Sequence, residues 1–137
     1  MKKYALCLSA VLLAGCSTAK LTPPPSDFIG TVPSNYEQDL IALNDVPASP
    51  FRGGNMTFQY DPTNALLTVV VQLQNARWSW NFDPRSLKKD LFPQVCENYE
   101  APLSEGMGLR YWYAGSGGFT TEVLTHQSCQ TYIKLNK

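Results

Sequence analysis

Residues 66–71 (LLTVVV) form a run of β-favouring residues in which Thr68 is the single polar side chain. A strand with one solvent-facing side alternates polar and apolar residues, whereas a strand covered on both faces does not. We therefore predict a central strand over residues 65–73. Residues 55–60 (NMTFQY) have a similar character, and the turn-forming segment 61–64 (DPTN) between the two predicts a hairpin.

Further elements follow this hairpin. Strict alternation of aromatic and polar residues over 77–82 (RWSWNF) predicts a half-buried strand. Asp83 followed by Pro84 is typical of a helix start. An apolar stripe predicts that this helix continues to Cys96, with a kink at Pro93.

Both ends of the globular part also carry element signals. Residues 34–37 (SNYE) match the capping-box pattern, which predicts a helix to about residue 44. Residues 108–113 (GLRYWY) and 119–125 (FTTEVLT) flank a glycine-rich connection and predict a second hairpin, whose last strand leads to Cys129. The elements together predict one small α+β domain, with two helices and a mainly antiparallel sheet of about five strands.

The amino terminus has the pattern of an exported protein. Residues 4–13 (YALCLSAVLL) follow two lysines and form an apolar run too short to span a bilayer. Residues 13–16 (LAGC) resemble the lipobox of bacterial lipoproteins, in which cleavage occurs before a cysteine that carries lipid. We therefore predict a signal peptide over 1–15 and lipidation of Cys16; an ordinary cleavage site or a buried helix is the alternative. In such lipoproteins Ser17, in place of aspartate, favours the periplasmic face of the outer membrane.

Cleavage at that site would leave two cysteines in the folded part. Cys7 would be lost with the signal peptide, so that Cys96 and Cys129 remain besides the lipid site. An oxidising periplasm pairs such cysteines, so we predict one disulfide, with a metal site or two free thiols as alternatives. Loss of Lys2 and Lys3 would leave nine basic and eleven acidic side chains, a balance that gives no indication of nucleic-acid binding.

Proline content predicts where the domain begins. Residues 16–33 start at the predicted lipid site and hold four of the ten prolines, which is typical of an extended, semi-rigid spacer. The periplasmic α+β domain is then predicted to cover residues 34–137.

No residue pattern indicates catalysis. His126 is the single histidine and has no serine and acid pattern around it, so a surface position is expected. Glu97, Glu100 and Glu105 lack the spacing of a calcium loop and are interpreted as a solvated charged segment. Residues 115–118 (GSGG) lack the lysine of a phosphate loop and predict a turn. We expect no enzymatic activity, no cofactor and no bound metal. We expect instead a role in binding or assembly.

Aromatic residues are concentrated in two of the predicted strands, as Trp78, Trp80, Phe82, Tyr111, Trp112 and Tyr113. Such residues usually fill the core. In residues 108–113, however, Arg110 and Trp112 face opposite to the other side chains, so both faces carry aromatic bulk and one is available to a partner. The predicted partner-binding residues are Trp78, Trp80, Leu109, Tyr111 and Tyr113.

A lipobox, a spacer and a helix ending in Cys96 are followed by residues 103–106 (LSEG), an aromatic strand, a glycine-rich hairpin and the second cysteine. Over about residues 55–130 this order resembles the type II secretion pilotins of the Vibrio and Escherichia type. The resemblance implies a lipoprotein that binds the C-terminal segment of a secretin and travels with it to the outer membrane through the lipoprotein sorting machinery. The alternatives are another accessory or structural lipoprotein of the envelope, and an enzyme or inhibitor acting on envelope polymers.

Overall fold

The structure, a computed structural model, describes residues 20–135, without the side chain of residue 135. The predicted signal peptide and Cys16 lie outside the described residues. Between residues 20 and 135, no helix has the length and apolar character needed to cross a bilayer. Along the chain the elements are α1 (Ser34–Ala42), a 3-10 turn (Leu43–Asp45), β1 (Ser49–Phe51), β2 (Gly54–Asp61), β3 (Leu66–Leu73), α2 (Pro84–Asp90), α3 (Phe92–Asn98), α4 (Glu100–Ser104), β4 (Gly108–Ala114), β5 (Phe119–Thr120) and α5 (His126–Leu135).

Within the described residues, five strands form one sheet in the order β1-β2-β3-β4-β5. β3 and β4 pair in parallel, with Leu67 opposite Leu109, and the other pairings are antiparallel. The predicted α+β class and a mostly antiparallel sheet of five strands are thus confirmed, with one parallel pair as a departure. β3 lies at the centre as predicted, and its first five residues are buried.

The β2–β3 hairpin is confirmed, and side-chain hydrogen bonds fix its turn. Asp61 Oδ1 accepts a hydrogen bond from the Thr63 N–H at 2.9 Å, and Asp61 Oδ2 accepts one from the Asn64 side chain at 3.1 Å. Beyond the short β1, the Asn44 side chain bonds both the N–H and the C=O of Tyr60, at 2.8 and 3.1 Å. These two bonds satisfy β2 where no strand pairs with it.

The strand predicted over residues 77–82 is wrong, and the parallel pair explains why. Parallel neighbours need a long crossover connection, which residues 74–107 provide between β3 and β4. The chain must leave the sheet at the end of β3 to reach the helices, so residues 77–82 have no strand to pair with. The sheet nevertheless has five strands because it includes β1, which the sequence did not predict.

Five helices lie in the described part of the chain, instead of the two predicted. The single helix expected from Asp83 to Cys96 is divided at Leu91 into α2 and α3, because Pro93 in the first turn of α3 has no N–H to continue the ladder. The start of α2 is as predicted, since the Asp83 carboxylate accepts a hydrogen bond from the Arg85 N–H at 3.0 Å.

Helix α1 confirms the first predicted helix but not its capping box. Pro33 occupies the N-cap position and Ser34 is already helical, so no side chain caps this helix. A reciprocal cap is found at α5 instead. The Thr125 N–H donates to Ser128 Oγ at 2.8 Å, and the Ser128 N–H donates to Thr125 Oγ1 at 3.2 Å.

The last predicted strand is much shorter than expected. β5 ends at Thr120, and Leu124 adds an isolated bridge to Leu109 before α5 begins. Cys129 therefore lies in a helix and not in a strand. The predicted Cys96–Cys129 disulfide is confirmed, and it joins α3 to α5 within the core, with a Cα–Cα distance of 5.5 Å.

The core lies between one face of the sheet and helices α3, α4 and α5, and α1 contributes Leu40 to it. Because side chains alternate along a strand, the register partners Tyr60, Leu67 and Leu109 share this face. They form the core cluster with helix residues that include Phe92 and Leu103.

The opposite face of the sheet carries the described part of the predicted spacer. Residues 20–33, which we call the proline strap, have no helix or strand but are hydrogen-bonded to the domain. The Gln59 side chain donates to the Leu21 carbonyl at 2.9 Å, and the Arg110 guanidinium donates to the carbonyls of Pro24 and Pro25 at 2.5 and 3.4 Å. The strap therefore crosses the sheet from β2 to β4 and is part of the packed structure.

Close packing at Gly108 holds the second half of the strap. A Cβ at Gly108 would lie 2.5 Å from the Phe28 ring, so the ring can rest on the strand only because this residue is glycine. Beyond it, the Gly30 N–H donates to the Asn64 carbonyl at 2.9 Å.

Candidate partner-binding surface

Residues 77–82 cross the end of the sheet where β3 and β4 stop, and Trp80 is fixed there by two hydrogen bonds. Its backbone N–H donates to the Ser116 carbonyl at 2.8 Å, and its indole Nε1 donates to the Ala114 carbonyl at 3.0 Å. A Cβ at Gly117 would lie 2.6 Å from the Trp80 carbonyl, and Gly117 has a φ of +71°. The glycine-rich turn between β4 and β5 therefore also provides the seat for Trp80.

An aromatic cluster forms around Trp80, from Phe51, Trp80, Phe82, Tyr111, Tyr113 and Phe119. Tyr113 lies at its centre, with ring centroids 5.1 Å from Trp80, 5.4 Å from Phe82 and 5.1 Å from Phe119. Trp80 also stacks on Phe82 at 5.4 Å and contacts Phe51 at 6.2 Å. Aromatic pairs at such distances contribute about 0.5 to 1.5 kcal/mol each beyond their buried area, so the rings hold one another in place.

Trp78 lies beside this cluster and packs against the turn that precedes β2. A Cβ at Gly53 would be 3.5 Å from the indole, so the ring rests on this glycine. The Arg52 guanidinium carbon lies 5.6 Å from the centroid of the Trp78 ring, within the range of a cation–π contact. The position of Trp78 is thereby fixed although no strand contains it.

Three of these rings are open to solvent. Phe82 is 47% exposed, Trp78 is 43% exposed and Phe51 is 37% exposed, and the half-buried Trp80 contacts both Phe51 and Phe82. We call these four residues the aromatic surface. Large apolar side chains that are grouped and exposed on a folded domain are typical of an interaction site.

The structure distributes the five predicted partner-binding residues between surface and core. Trp78 and Trp80 belong to the aromatic surface. Tyr113 is 7% exposed and supports the rings from below, whereas Leu109 is 0% exposed and lies in the core. Tyr111 is half-buried, and burial together with two neighbouring tyrosines raises its pKa to about 12, so its hydroxyl stays protonated.

A groove of about 270 Å³ opens between α2 and β5. Its walls are apolar at Leu87, Phe92 and Phe119 and charged at Lys88 and Glu122. Since Phe119 also belongs to the aromatic cluster, the groove is continuous with the cluster along the β5 edge of the sheet.

Glu122 at the rim of this groove gives a testable pH dependence. Its carboxylate accepts a hydrogen bond from the Tyr132 hydroxyl and lies 3.2 Å from Lys88 Nζ; these contacts lower its pKa, although burial acts in the opposite direction. The folded pKa is thus below the unfolded pKa, so this stabilisation is present above the unfolded pKa and is lost as the pH falls through the folded pKa. In urea denaturation between about pH 7 and about pH 3, we expect the wild-type chain to lose more stability than Glu122→Gln. Parallel losses in the two proteins would contradict this.

The residues considered for catalysis lie on the surface and do not come together. His126 is exposed at the start of α5, where its Nε2 is 3.4 Å from the side-chain nitrogen of Gln130. Glu97, Glu100 and Glu105 are all exposed. Within residues 20–135, no three histidine, cysteine, aspartate or glutamate side chains are grouped in a way that could hold a metal ion.

Comparison of the chain with protein-family models, with curated proteins and with solved structures finds no match.

Proposed function

We propose that this protein is a lipid-anchored, pilotin-like assembly factor that binds the short C-terminal segment of a secretin and directs it to the outer membrane. The observation that carries the proposal is the aromatic surface, in which the exposed rings of Phe51 and Phe82 pack on Trp80 and the exposed Trp78 ring rests on Gly53. The proposal includes no enzymatic activity and no cofactor.

A rigid aromatic surface suits a partner that is short and folds on binding. Such a segment loses conformational entropy when it binds, so the surface that receives it must contribute a large contact area without becoming ordered itself. Tryptophan and tyrosine have few rotatable bonds, and Trp80 is already held by two hydrogen bonds. Aromatic anchors of this kind usually supply most of the binding energy in small interfaces.

The proline strap supports the lipid-anchored part of the proposal. Lys20 already contacts the domain through Asn44, and three residues separate it from the predicted lipid site at Cys16. At about 3.3 to 3.6 Å per extended residue, the chain from Cys16 to Lys20 reaches at most roughly 14 Å. A domain tethered so closely brings any bound segment to the membrane surface.

Binding of synthetic peptides that copy secretin C-terminal segments, followed by fluorescence anisotropy, tests the proposal. We expect Trp78→Ala to weaken binding by about 30-fold, equivalent to about 2 kcal/mol, as for an aromatic anchor. Ile133→Ala is the matched control, because this side chain is similarly exposed, at 39%, but lies on α5. Failure of the wild-type chain to bind any such peptide, or an equal loss in the two variants, would refute the proposal.

The membrane part of the proposal needs its own measurement. Mass spectrometry of the native protein is expected to show an amino terminus at Cys16 that carries lipid. In a strain with Cys16→Ala, we expect the secretin to be lost from the outer membrane fraction. Normal secretin localisation in a strain lacking the whole protein would contradict the assigned role, whatever the state of the amino terminus.

A further inference from the structure

A cavity of about 590 Å³ lies between the proline strap and the sheet, on the face opposite to the aromatic cluster. The rings of Pro23, Pro24 and Pro25 form one wall, and polar side chains that include Thr68 and Arg110 line the other. A volume of this size is typical of small-molecule sites and is well above that of a single inorganic ion. The cavity therefore has room for a charged group together with an organic body.

Arg110 gives the cavity a buried positive charge that has no negative partner among residues 20–135. The residue is 5% exposed, and its guanidinium donates to Thr68 Oγ1 at 3.1 Å and to the two proline carbonyls described above. All three acceptors are neutral, and neither of the ion pairs within residues 20–135 includes Arg110. Burial lowers its pKa. Buried charges are usually paired with an opposite charge, because an unpaired charge loses its hydration without compensation.

The other charges around the cavity also favour an anion. Lys20 lines it and uses its ammonium group to bond the Asn44 carbonyl, which leaves further N–H donors. Asp61 is the one carboxylate among the described residues that line the cavity, and each of its oxygens accepts a hydrogen bond, from Thr63 and from Asn64 in the β2–β3 turn. Two cations and one carboxylate therefore line the described part of the cavity, a balance of one positive charge.

We propose that this cavity is a binding site for a phosphate-type oxyanion, with Arg110 as its main electrostatic anchor and Lys20 as the second. The planar guanidinium has five N–H donors, of which three are used by the protein, so donors remain for phosphate oxygens. The proline rings opposite suit the carbon atoms of a phosphate ester. Free phosphate compounds and the headgroup of an anionic phospholipid share this chemistry. The proposal does not rest on the proposed function, because the sheet separates this cavity from the aromatic cluster.

Thermal unfolding of the full chain in detergent, with inorganic phosphate or chloride at equal ionic strength, tests the site. A ligand that binds the folded state raises the unfolding midpoint in proportion to the logarithm of its excess over the dissociation constant. We expect phosphate to raise the midpoint above that in chloride, and Lys20→Gln to weaken phosphate binding by about tenfold, as for the loss of one charge-assisted contact. Arg85→Gln is the matched control, since it removes the same charge from a side chain that is 91% exposed and remote from the cavity.

Several outcomes would contradict the proposed binding site. These are an equal midpoint in phosphate and chloride, an equal loss in Lys20→Gln and Arg85→Gln, or binding of acetate as tight as that of phosphate. Arg110→Gln is expected to abolish the effect of phosphate; if this variant does not fold, the comparison of the Lys20 and Arg85 variants still decides. Glycerol phosphate and phosphatidylglycerol vesicles distinguish the sources. Tighter binding to the vesicles supports a lipid headgroup at the site, and equal or tighter binding of glycerol phosphate supports a free phosphate ester.

Discussion

Replacing both Cys96 and Cys129 with serine is expected to lower the free energy of unfolding by about 3 to 4 kcal/mol. The disulfide closes a segment of 33 residues, and the chain-entropy model assigns about this stabilisation to a loop of that length. It connects two helices of the core, α3 and α5, between which the chain forms a helix and two strands. For a small domain with a total stability of roughly 5 to 15 kcal/mol, this is a large share.

Urea denaturation of the oxidised wild type and the double serine variant measures the effect. The unfolded ensemble of the variant is less restricted, so we expect a lower midpoint together with an m-value that is equal or larger. Wild-type protein reduced with dithiothreitol is the control, because it removes the same cross-link without changing the side chains. A loss below about 1 kcal/mol in both would show that the disulfide closes a loop already ordered in the unfolded chain.

The parts of the fold that local patterns predicted are those whose partners are close in the chain. The β2–β3 hairpin needs a turn and two adjacent strands, and all three signals lie within residues 55–73. The helix start at Asp83 likewise depends on residues two positions apart. In both cases the information that decides the structure is contained in a short window.

Residues 77–82 show where local patterns stop. The alternation of tryptophan, phenylalanine and polar residues fits a strand. It fits equally well an irregular segment that packs Trp80 on one side and then leaves the sheet. The parallel pairing of β3 with β4 decides between them. Because β4 occupies the position beside β3, the chain must leave the sheet after β3. No pattern within the segment carries that information.

The carboxyl-terminal segment was mispredicted for a related reason. Residues 119–125 are rich in threonine and apolar side chains, which favour a strand. Thr125 and Ser128 cap each other's backbone and start a helix at His126, so the second cysteine approaches the first from a helix. The T-x-x-S pattern at 125–128 was the signal that could have indicated this.

Part of the candidate surface was visible in the sequence. Trp78 and Trp80 stood out as an aromatic pair, whereas Phe51 gave no signal because its contact with Trp80 depends on the β1–β2 turn. The sequence also gave no signal that the proline strap packs on the sheet. The strap has few apolar residues, and the backbone carbonyls of its first half accept hydrogen bonds from Gln59 and Arg110, which lie far along the chain.

Leu109→Ala is expected to lower the free energy of unfolding by about 3 kcal/mol, within the range of about 2 to 5 kcal/mol observed for buried leucines. Leu109 is 0% exposed, and its backbone bonds with Leu124 at 2.9 and 2.6 Å hold the strand in place, so the surrounding core fills the space left only in part. Trp78→Ala is the contrasting variant, since a side chain that is 43% exposed should cost far less stability on removal. Urea denaturation and peptide binding, both measured for the two variants, distinguish a core residue from a surface contact residue. If Leu109→Ala remained as stable as Trp78→Ala while binding was lost, Leu109 would have to be a contact residue after all.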